Sequence, residues 1–123
     1  MAAATRGFTL IELLIVLTLI GIVAGIAAPL YHKSVVSARE AALKENLYQM
    51  REAIDKYYAD AGEYPQGLIS LVEKKYIRSV PADPFTRSKD TWVEVPAEGE
   101  TGVFDVKSGS ALTGNNGTPY NEW

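Results

Sequence analysis

Hydrophobic positions fall into three regimes along this 123-residue chain. Phe8 to Leu30 is almost continuously apolar, with one carboxylate, Glu12, near its start and then no formal charge until Lys33. A helix rising about 1.5 Å per residue carries that run across roughly 34 Å, slightly more than the ~30 Å hydrocarbon core of a bilayer. The first regime therefore predicts a membrane-spanning helix. Beyond Pro29 the pattern changes without any linker. Leu43, Leu47, Met50, Ile54, Tyr57 and Ala61 alternate steps of four and three residues, which draws one apolar stripe along an amphipathic helix that Gly62 ends as a C-cap would. Glu40 with Lys44, Arg51 with Asp55, Glu52 with Lys56 and Lys56 with Asp60 stand at i,i+4. They read as a solvated face whose pairs contribute about 0.2 to 0.5 kcal/mol each. One helix from Phe8 to Ala61 would hold about 54 residues and run near 80 Å if straight.

The third regime, Glu63 to Trp123, is a small head that falls below the roughly 70 to 80 residues at which a single core gives much margin. The helical stripe must complete its core. Leu68, Leu71, Val72 and Ile77 suggest a short helix, after which Pro81, Asp83 and Pro84 break the chain. Trp92 to Val95 and Val103 to Val106 read as two strands, separated by a turn with Pro96, Gly99 and Gly102. Tyr120 and Trp123 are expected to pair as a last strand. The fold class is thus α+β: a long N-terminal helix, transmembrane and then amphipathic, packed against a small C-terminal antiparallel sheet.

The lone acid changes the reading of the apolar run. A carboxylate at the centre of a membrane helix costs roughly 2.5 to 3.5 kcal/mol on insertion scales and calls for a partner, which the run does not contain; a tolerated acid near the headgroups is the plainer alternative. Arg6 and the initiator amine favour a cytoplasmic N-terminus, with the downstream chain outside. A cleaved signal peptide would place an apolar core of about 7 to 15 residues before a small-residue site. Gly25 and Ala27 ahead of Ala28 could serve as one, but the run is too long and carries an acid in its first turn, which favours a retained helix. Gly21 and Gly25 form G-x-x-x-G, and Ala24 and Ala28 repeat the small-residue spacing one face over; such residues let helix backbones approach closely. Pro29 removes one intrahelical hydrogen bond and clashes with the preceding turn, at about 3 kcal/mol in a helix interior, so Gly21 to Pro29 reads as a soft segment.

Charge and composition narrow the chemistry. Twelve basic residues against fifteen acidic ones give no basic face, so nucleic acid is not an expected partner. The one histidine, His32, lies beside Tyr31 where the helix would leave the membrane, and reads as an interfacial side chain. No cysteine nucleophile, glycine-rich phosphate loop or metal-ligand cluster occurs, and no catalytic residue is expected. Tyr48, Tyr57, Tyr58 and Tyr64 are expected in core and interface.

Gly7 followed by Phe8, Thr9, Leu10, Ile11 and Glu12, then an aliphatic run with Pro29 near its end, resembles the prepilin signal of the type IV pilin and type II secretion pseudopilin superfamily. The resemblance implies that a membrane-embedded prepilin peptidase cuts between Gly7 and Phe8 and methylates the new amine of Phe8. It implies that Glu12, then the fifth residue, faces the N-terminal amine of a neighbouring subunit, and that the helix extends between Gly21 and Pro29 in the assembled filament. Opposite charges in a low-dielectric setting attract several-fold more strongly than in water, and a buried pair sets register as well as stability.

In the head, Tyr64-Pro65, Pro81-Ala82-Asp83-Pro84, Thr91-Trp92, Gly102-Val103-Phe104-Asp105-Val106, Ser108-Gly109-Ser110 and Gly117-Thr118-Pro119-Tyr120 resemble the major, G-type pseudopilin. With zero cysteines, the chain cannot close the C-terminal disulfide loop of many adhesive pilins. The family often uses calcium there, an ion that wants six to eight oxygens. Ser108 to Tyr120 contains no acid, and Asn115-Asn116-Gly117 reads as a turn. Asp105, Ser108, Asn115 and Glu122 are the residues nearest to a ligand set, and no cofactor is expected.

The division this implies is a leader over 1–7, a transmembrane and assembly helix over 8–30, an amphipathic helix over 31–62 and a periplasmic head over 63–123. The expected role is a structural subunit of a helical pseudopilus in type II protein secretion. Expected partners are copies of itself, the prepilin peptidase, the inner-membrane assembly platform, minor pseudopilins and, before assembly, membrane lipid. The expected location is the bacterial inner membrane with the head in the periplasm, and then a periplasmic or surface filament. A major type IV pilin of an adhesion or motility fibre is the alternative within the superfamily; a membrane-anchored periplasmic binding or enzymatic module is the alternative outside it.

Overall fold

The computed structural model describes residues 7–123; Met1 to Arg6, most of the expected leader, lie outside the described residues. Helix α1 runs unbroken from Leu10 to Ala61. It starts two residues later than the apolar pattern does, because Thr9 caps it: the Glu12 N–H donates to Thr9 Oγ1 at 3.1 Å. It ends at Gly62, whose φ of 74° is cheap only without a Cβ and whose N–H closes the last turn on the Tyr58 carbonyl at 2.8 Å. Contacts divide the chain into two compact units, Met1–Val36 and Ser37–Trp123, with the division inside α1.

In the first unit, α1 through Leu30 is exposed on every side. Its most apolar window has a mean hydropathy of 2.7, long and apolar enough by composition to cross a membrane, and none of it is covered. Thr18, the one hydroxyl inside the helical run, donates to the Leu14 carbonyl at 2.7 Å and so needs no water.

The second unit supplies the core. Leu43, Leu47, Met50, Ala53 and Ile54 of α1 are buried with Leu68, Leu71, Trp92, Val106 and Tyr120. Each large side chain stabilises by about 1.5 to 3 kcal/mol on burial. The expected stripe is confirmed from Leu43 to Ile54; Tyr57 is half-buried, and Ala61, its last expected member, is exposed. Helix α2 covers Leu68–Glu73, and its first turn is capped from a distance: the Leu68 N–H donates to Glu94 Oε1 at 3.2 Å.

Strands β1 (Val93–Pro96) and β2 (Val103–Lys107) form an antiparallel pair whose register slips between Val95 and Pro96. The slip explains a burial pattern that a regular strand cannot give. Val103 and Val106 are three apart and both buried while Phe104 faces out, because one extra residue opposes the β1 backbone there. Pro96, assigned from sequence to the turn, is instead the last strand residue, where a missing N–H costs least. Gly102 has φ of 109°, and a Cβ on it would lie 2.7 Å from the Tyr64 carbonyl oxygen, so the hairpin docks on Tyr64-Pro65 only with glycine.

The expected third strand is not formed. Tyr120–Glu122 is a short 3₁₀ turn, and the nearest ladder contact is one isolated bridge between Thr113 and Pro119. The cause is Tyr120 itself, which stacks on Phe85 at 3.9 Å and meets Trp123 edge-on at 4.9 Å. Turning the backbone there buries Tyr120 while Trp123 packs beside it, whereas an extended strand would send neighbouring side chains to opposite faces.

Candidate functional site

The N-terminal site is built on the first turn of α1. Gly7, Phe8 and Thr9 precede the helix without regular structure, and Phe8 is 80% exposed, so the Gly7–Phe8 peptide lies on open backbone. Thr9 and Glu12 form a reciprocal cap: Glu12 N–H to Thr9 Oγ1, and Thr9 N–H toward Glu12 Oε2 at 3.5 Å. The second contact is long for a hydrogen bond and leaves the carboxylate largely available. The T-x-x-E spacing of Thr9 and Glu12 is the sequence signal of such a capping box. Among the described residues no cation faces Glu12.

Gly21 and Gly25 occupy one face of the exposed helix, and a Cβ on either would meet nothing. Pro29 sits inside the unbroken helix. With no N–H at Pro29, the Gly25 carbonyl lacks its i+4 donor, so the small-residue face and the weakened turn share a residue.

The second site is a polar frame on α1 that holds the head. Three side chains assigned to a solvated face are taken by long-range partners instead. Arg51 donates from Nε to Asp105 Oδ1 at 2.8 Å, and from Nη2 to the Val106 and Trp123 main-chain oxygens, each at 2.9 Å. Glu40 accepts from the Asn115 N–H at 2.9 Å and from the Tyr120 hydroxyl at 2.8 Å. Asp60 accepts from the Tyr76 hydroxyl at 2.7 Å. Of the four i,i+4 pairs, Glu52 with Lys56 forms, at 3.5 Å and exposed. The cause is positional: Arg51 lies four residues after Leu47 and three before Ile54, and Glu40 three before Leu43. Both therefore sit on the buried stripe's own face, and the head reaches them.

Asp83 is the other hub. Fully buried, its Oδ1 accepts from the Phe85 and Thr86 N–H groups at 2.8 and 3.4 Å, and its Oδ2 from the Ser108 hydroxyl. Ser108 Oγ in turn accepts from the Ser110 N–H at 3.1 Å. The Pro81-Ala82-Asp83-Pro84 and Ser108-Gly109-Ser110 motifs are thus two halves of one knot. Burial first, then the Glu40 hydrogen bond and the charge of that carboxylate, push the Tyr120 phenol up to about 12. The hydrogen bond to Asp60 first, then burial, raises the Tyr76 phenol.

Of the residues nearest to a calcium set, Asp105 and Ser108 already have partners within the fold. Asp105 faces Arg51, Ser108 is turned to Asp83, Asn115 gives its N–H to Glu40, and Glu122 lies exposed in the 3₁₀ turn. Among the described residues no three carboxylate or histidine side chains gather.

Comparison with known proteins agrees with this geometry. Residues 3–28 match the prokaryotic N-terminal methylation motif, which sets the chain among proteins of the type IV pilin class. Type II secretion system core protein G of Escherichia coli K12 is 32% identical over 119 residues, covering 84% of this chain and 79% of the relative. Its counterpart from Pseudomonas aeruginosa PAO1 is 30% identical over 118 residues, covering 83% and 80%. Fimbrial protein EcpC of Eikenella corrodens is 38% identical over 80 residues, covering 61% of this chain and 52% of its own length; the chain thus spans about half of that fimbrial relative. No solved structure matches the chain significantly. The chain belongs to the family of type II secretion system core protein G, the G-type pseudopilins. Its family is one of structural subunits, not enzymes.

Proposed function

We propose that this chain is the repeating subunit of a helical pseudopilus, drawn from the bacterial inner membrane after prepilin peptidase cleaves between Gly7 and Phe8 and methylates Phe8. The observation that carries the proposal is the fully exposed apolar helix with a carboxylate in its first turn that faces no cation among the described residues. Lipid can cover the apolar surface of a single copy, but nothing in lipid neutralises Glu12; the Phe8 amine of an adjacent copy would. At about 4 Å and an effective dielectric near 20, such a pair attracts by about 4 kcal/mol, which offsets the roughly 2.5 to 3.5 kcal/mol of burying the acid. Gly21 and Gly25 would let neighbouring helices approach, and Pro29 would let the turn stretch. The head from 63 to 123, with the amphipathic helix over 31–62, stands in the periplasm. The assembly platform and minor pseudopilins are the partners that start the fibre, and no cofactor is assigned.

The alternative, a major type IV pilin of a surface fibre, has the higher identity in its favour, from a fimbrial relative, but over less of the chain. The test is to produce the full chain with prepilin peptidase and the assembly platform, then shear the cells. Thin filaments containing the cleaved chain are expected. Chain that stays wholly in the membrane fraction contradicts the proposal.

A further inference from the structure

The Asn115-Asn116-Gly117 turn enters the polar frame only through the Asn115 N–H that Glu40 holds. The loop that carries it is a tight hairpin. Gly114 N–H donates to the Thr118 carbonyl at 2.9 Å and Gly117 N–H to the Gly114 carbonyl at 3.0 Å, and the isolated bridge between Thr113 and Pro119 closes its base. Gly114 is buried against Trp123, where a Cβ would lie 2.7 Å from a ring carbon. Asn115, Asn116 and Gly117 stand exposed at the tip.

Asn116 is placed for attack by its own main chain. Its Oδ1 accepts from the Thr118 N–H at 3.0 Å. This Asx turn folds the side chain forward over the peptide that joins Asn116 to Gly117, and the donated hydrogen bond draws electron density from Cγ. Gly117, at φ 82°, has no side chain to shield its nitrogen, and a Cβ there would meet nothing within 4 Å. A nucleophile held beside its target in the same chain has a large advantage over a free one. The other asparagines lack this combination. Asn115 and Asn121 are exposed but are followed by Asn116 and Glu122, and Asn46 lies within α1, donating its side-chain amide to the Ala82 carbonyl at 3.3 Å. The hydrogen bond from Gly117 to Gly114 is the brake: the nitrogen attacks when that bond opens, so the reaction in the folded chain is slow.

We propose that Asn116 is a self-modifying site, converted by the Gly117 nitrogen and water into a carboxylate that pairs with Lys44. The Gly117 nitrogen bonds to Asn116 Cγ, the Cγ–Nδ2 bond breaks, and ammonia leaves with the proton of the attacking nitrogen. Water then opens the succinimide ring, and no electron is gained or lost. Opening at Cγ restores the main chain as aspartate; opening at the neighbouring main-chain carbonyl leaves isoaspartate. Either way an anion replaces an amide on the wall of a cavity of about 620 Å³ that Asn116 shares with Lys44 and Trp123. Lys44 lies 5.1 Å over the Trp123 ring and, among the described residues, has no ion pair. Of the other charges on that wall, Arg51 is taken by Asp105 and Glu52 by Lys56, while Asp55 adds a like charge. Lys44 is therefore the cation open to the new carboxylate. The proposal goes beyond the pseudopilus reading and does not depend on it, because it uses only the fold of the Ser37–Trp123 unit.

The test holds full-length chain in detergent at neutral pH for several weeks and maps it by mass spectrometry. Trypsin releases Ser108 to Trp123 as one peptide after Lys107. Electron-transfer fragmentation should place the mass gain of amide-to-acid exchange on Asn116, as isoaspartate with a smaller share of aspartate, and at least tenfold less of it on Asn115 and Asn121. Unfolding in urea, which removes the Gly114 bond, should speed the reaction. Asn116→Gln, whose longer side chain closes a less favourable ring, should show no gain at that position. Asn116→Asp, which supplies the product carboxylate directly, should lower acylation of Lys44 by an amine-reactive ester at least twofold. No gain at Asn116, an earlier gain at Asn115 or Asn121, aspartate without isoaspartate, or an equal gain in Asn116→Gln would each overturn the main-chain attack. A rate that urea leaves unchanged would overturn the role of the turn, and unchanged acylation of Lys44 in Asn116→Asp would overturn the pairing. Each of these results leaves the filament reading standing, since cleavage and sheared filaments decide that separately.

Discussion

Replacing Arg51 by alanine should be among the most costly single changes on the polar face of α1. The guanidinium makes an ion pair and two main-chain hydrogen bonds, spanning Asp105, Val106 and Trp123. Bonds to a charged group contribute about 1.5 to 3 kcal/mol each when buried. Here the Arg51 and Asp105 side chains are 33% and 26% exposed, so water replaces part of each on truncation. The main loss is the two carbonyls left short of a donor and the unpaired carboxylate, roughly 2 kcal/mol in total. At 4 to 8 °C per kcal/mol for a unit of this size, the melting temperature should fall by about 8 to 16 °C. The assay is thermal unfolding by circular dichroism of the soluble piece from Tyr31 to Trp123. Arg51→Lys keeps the charge but not the fork of donors and should recover less than half of the loss. In a double-mutant cycle, Arg51→Ala and Asp105→Ala should couple by about 1 kcal/mol. A drop below about 2 °C for Arg51→Ala, corresponding to under ~0.5 kcal/mol, or full recovery by lysine, would refute the reasoning.

The Tyr31–Trp123 piece itself should fold as a monomer without forming filaments, as light scattering after size exclusion would register. Calcium should leave its melting temperature unchanged, and a rise of several degrees would reveal a bound ion. Alkali should unfold it through Tyr120. In the unfolded chain this phenol loses its proton near 10, in the folded chain near about 12, so its contribution is complete below pH 10 and lost as pH rises through 12. Tyr120→Phe should flatten that part of a pH–melting curve, and an identical slope in both proteins would argue against it. Glu12→Ala should be inserted and cleaved normally yet fail in assembly; wild-type amounts of sheared filament from a strain carrying only this variant would exclude the pairing role.

The elements that depend on local pattern were legible in the sequence. The apolar run, the stripe from Leu43 to Ile54, the Gly62 cap and the two strands follow from periodicity and from residues that tolerate few alternatives. The polar frame was not legible, because its partners are far apart in the chain: Glu40 meets Tyr120, and Arg51 meets Asp105. An i,i+4 neighbour is always visible in sequence, so the helix surface looked self-sufficient. The position of Glu40 and Arg51 on the stripe face was the signal against that reading. Tyr120 and Trp123 suggested a strand by composition, and stacking on Phe85 overrode it. The Asp83–Ser108 knot was present as two motifs that no local rule joins.

The intact mass and N-terminal sequence of the full chain, extracted from membranes of cells that contain prepilin peptidase, test the central claim most directly. The account predicts a chain that begins at Phe8, carries one added methyl group on its amine and retains the whole helix from Leu10 onward. A chain still beginning at Met1, or one beginning at Ala28 after loss of the apolar helix, would contradict it.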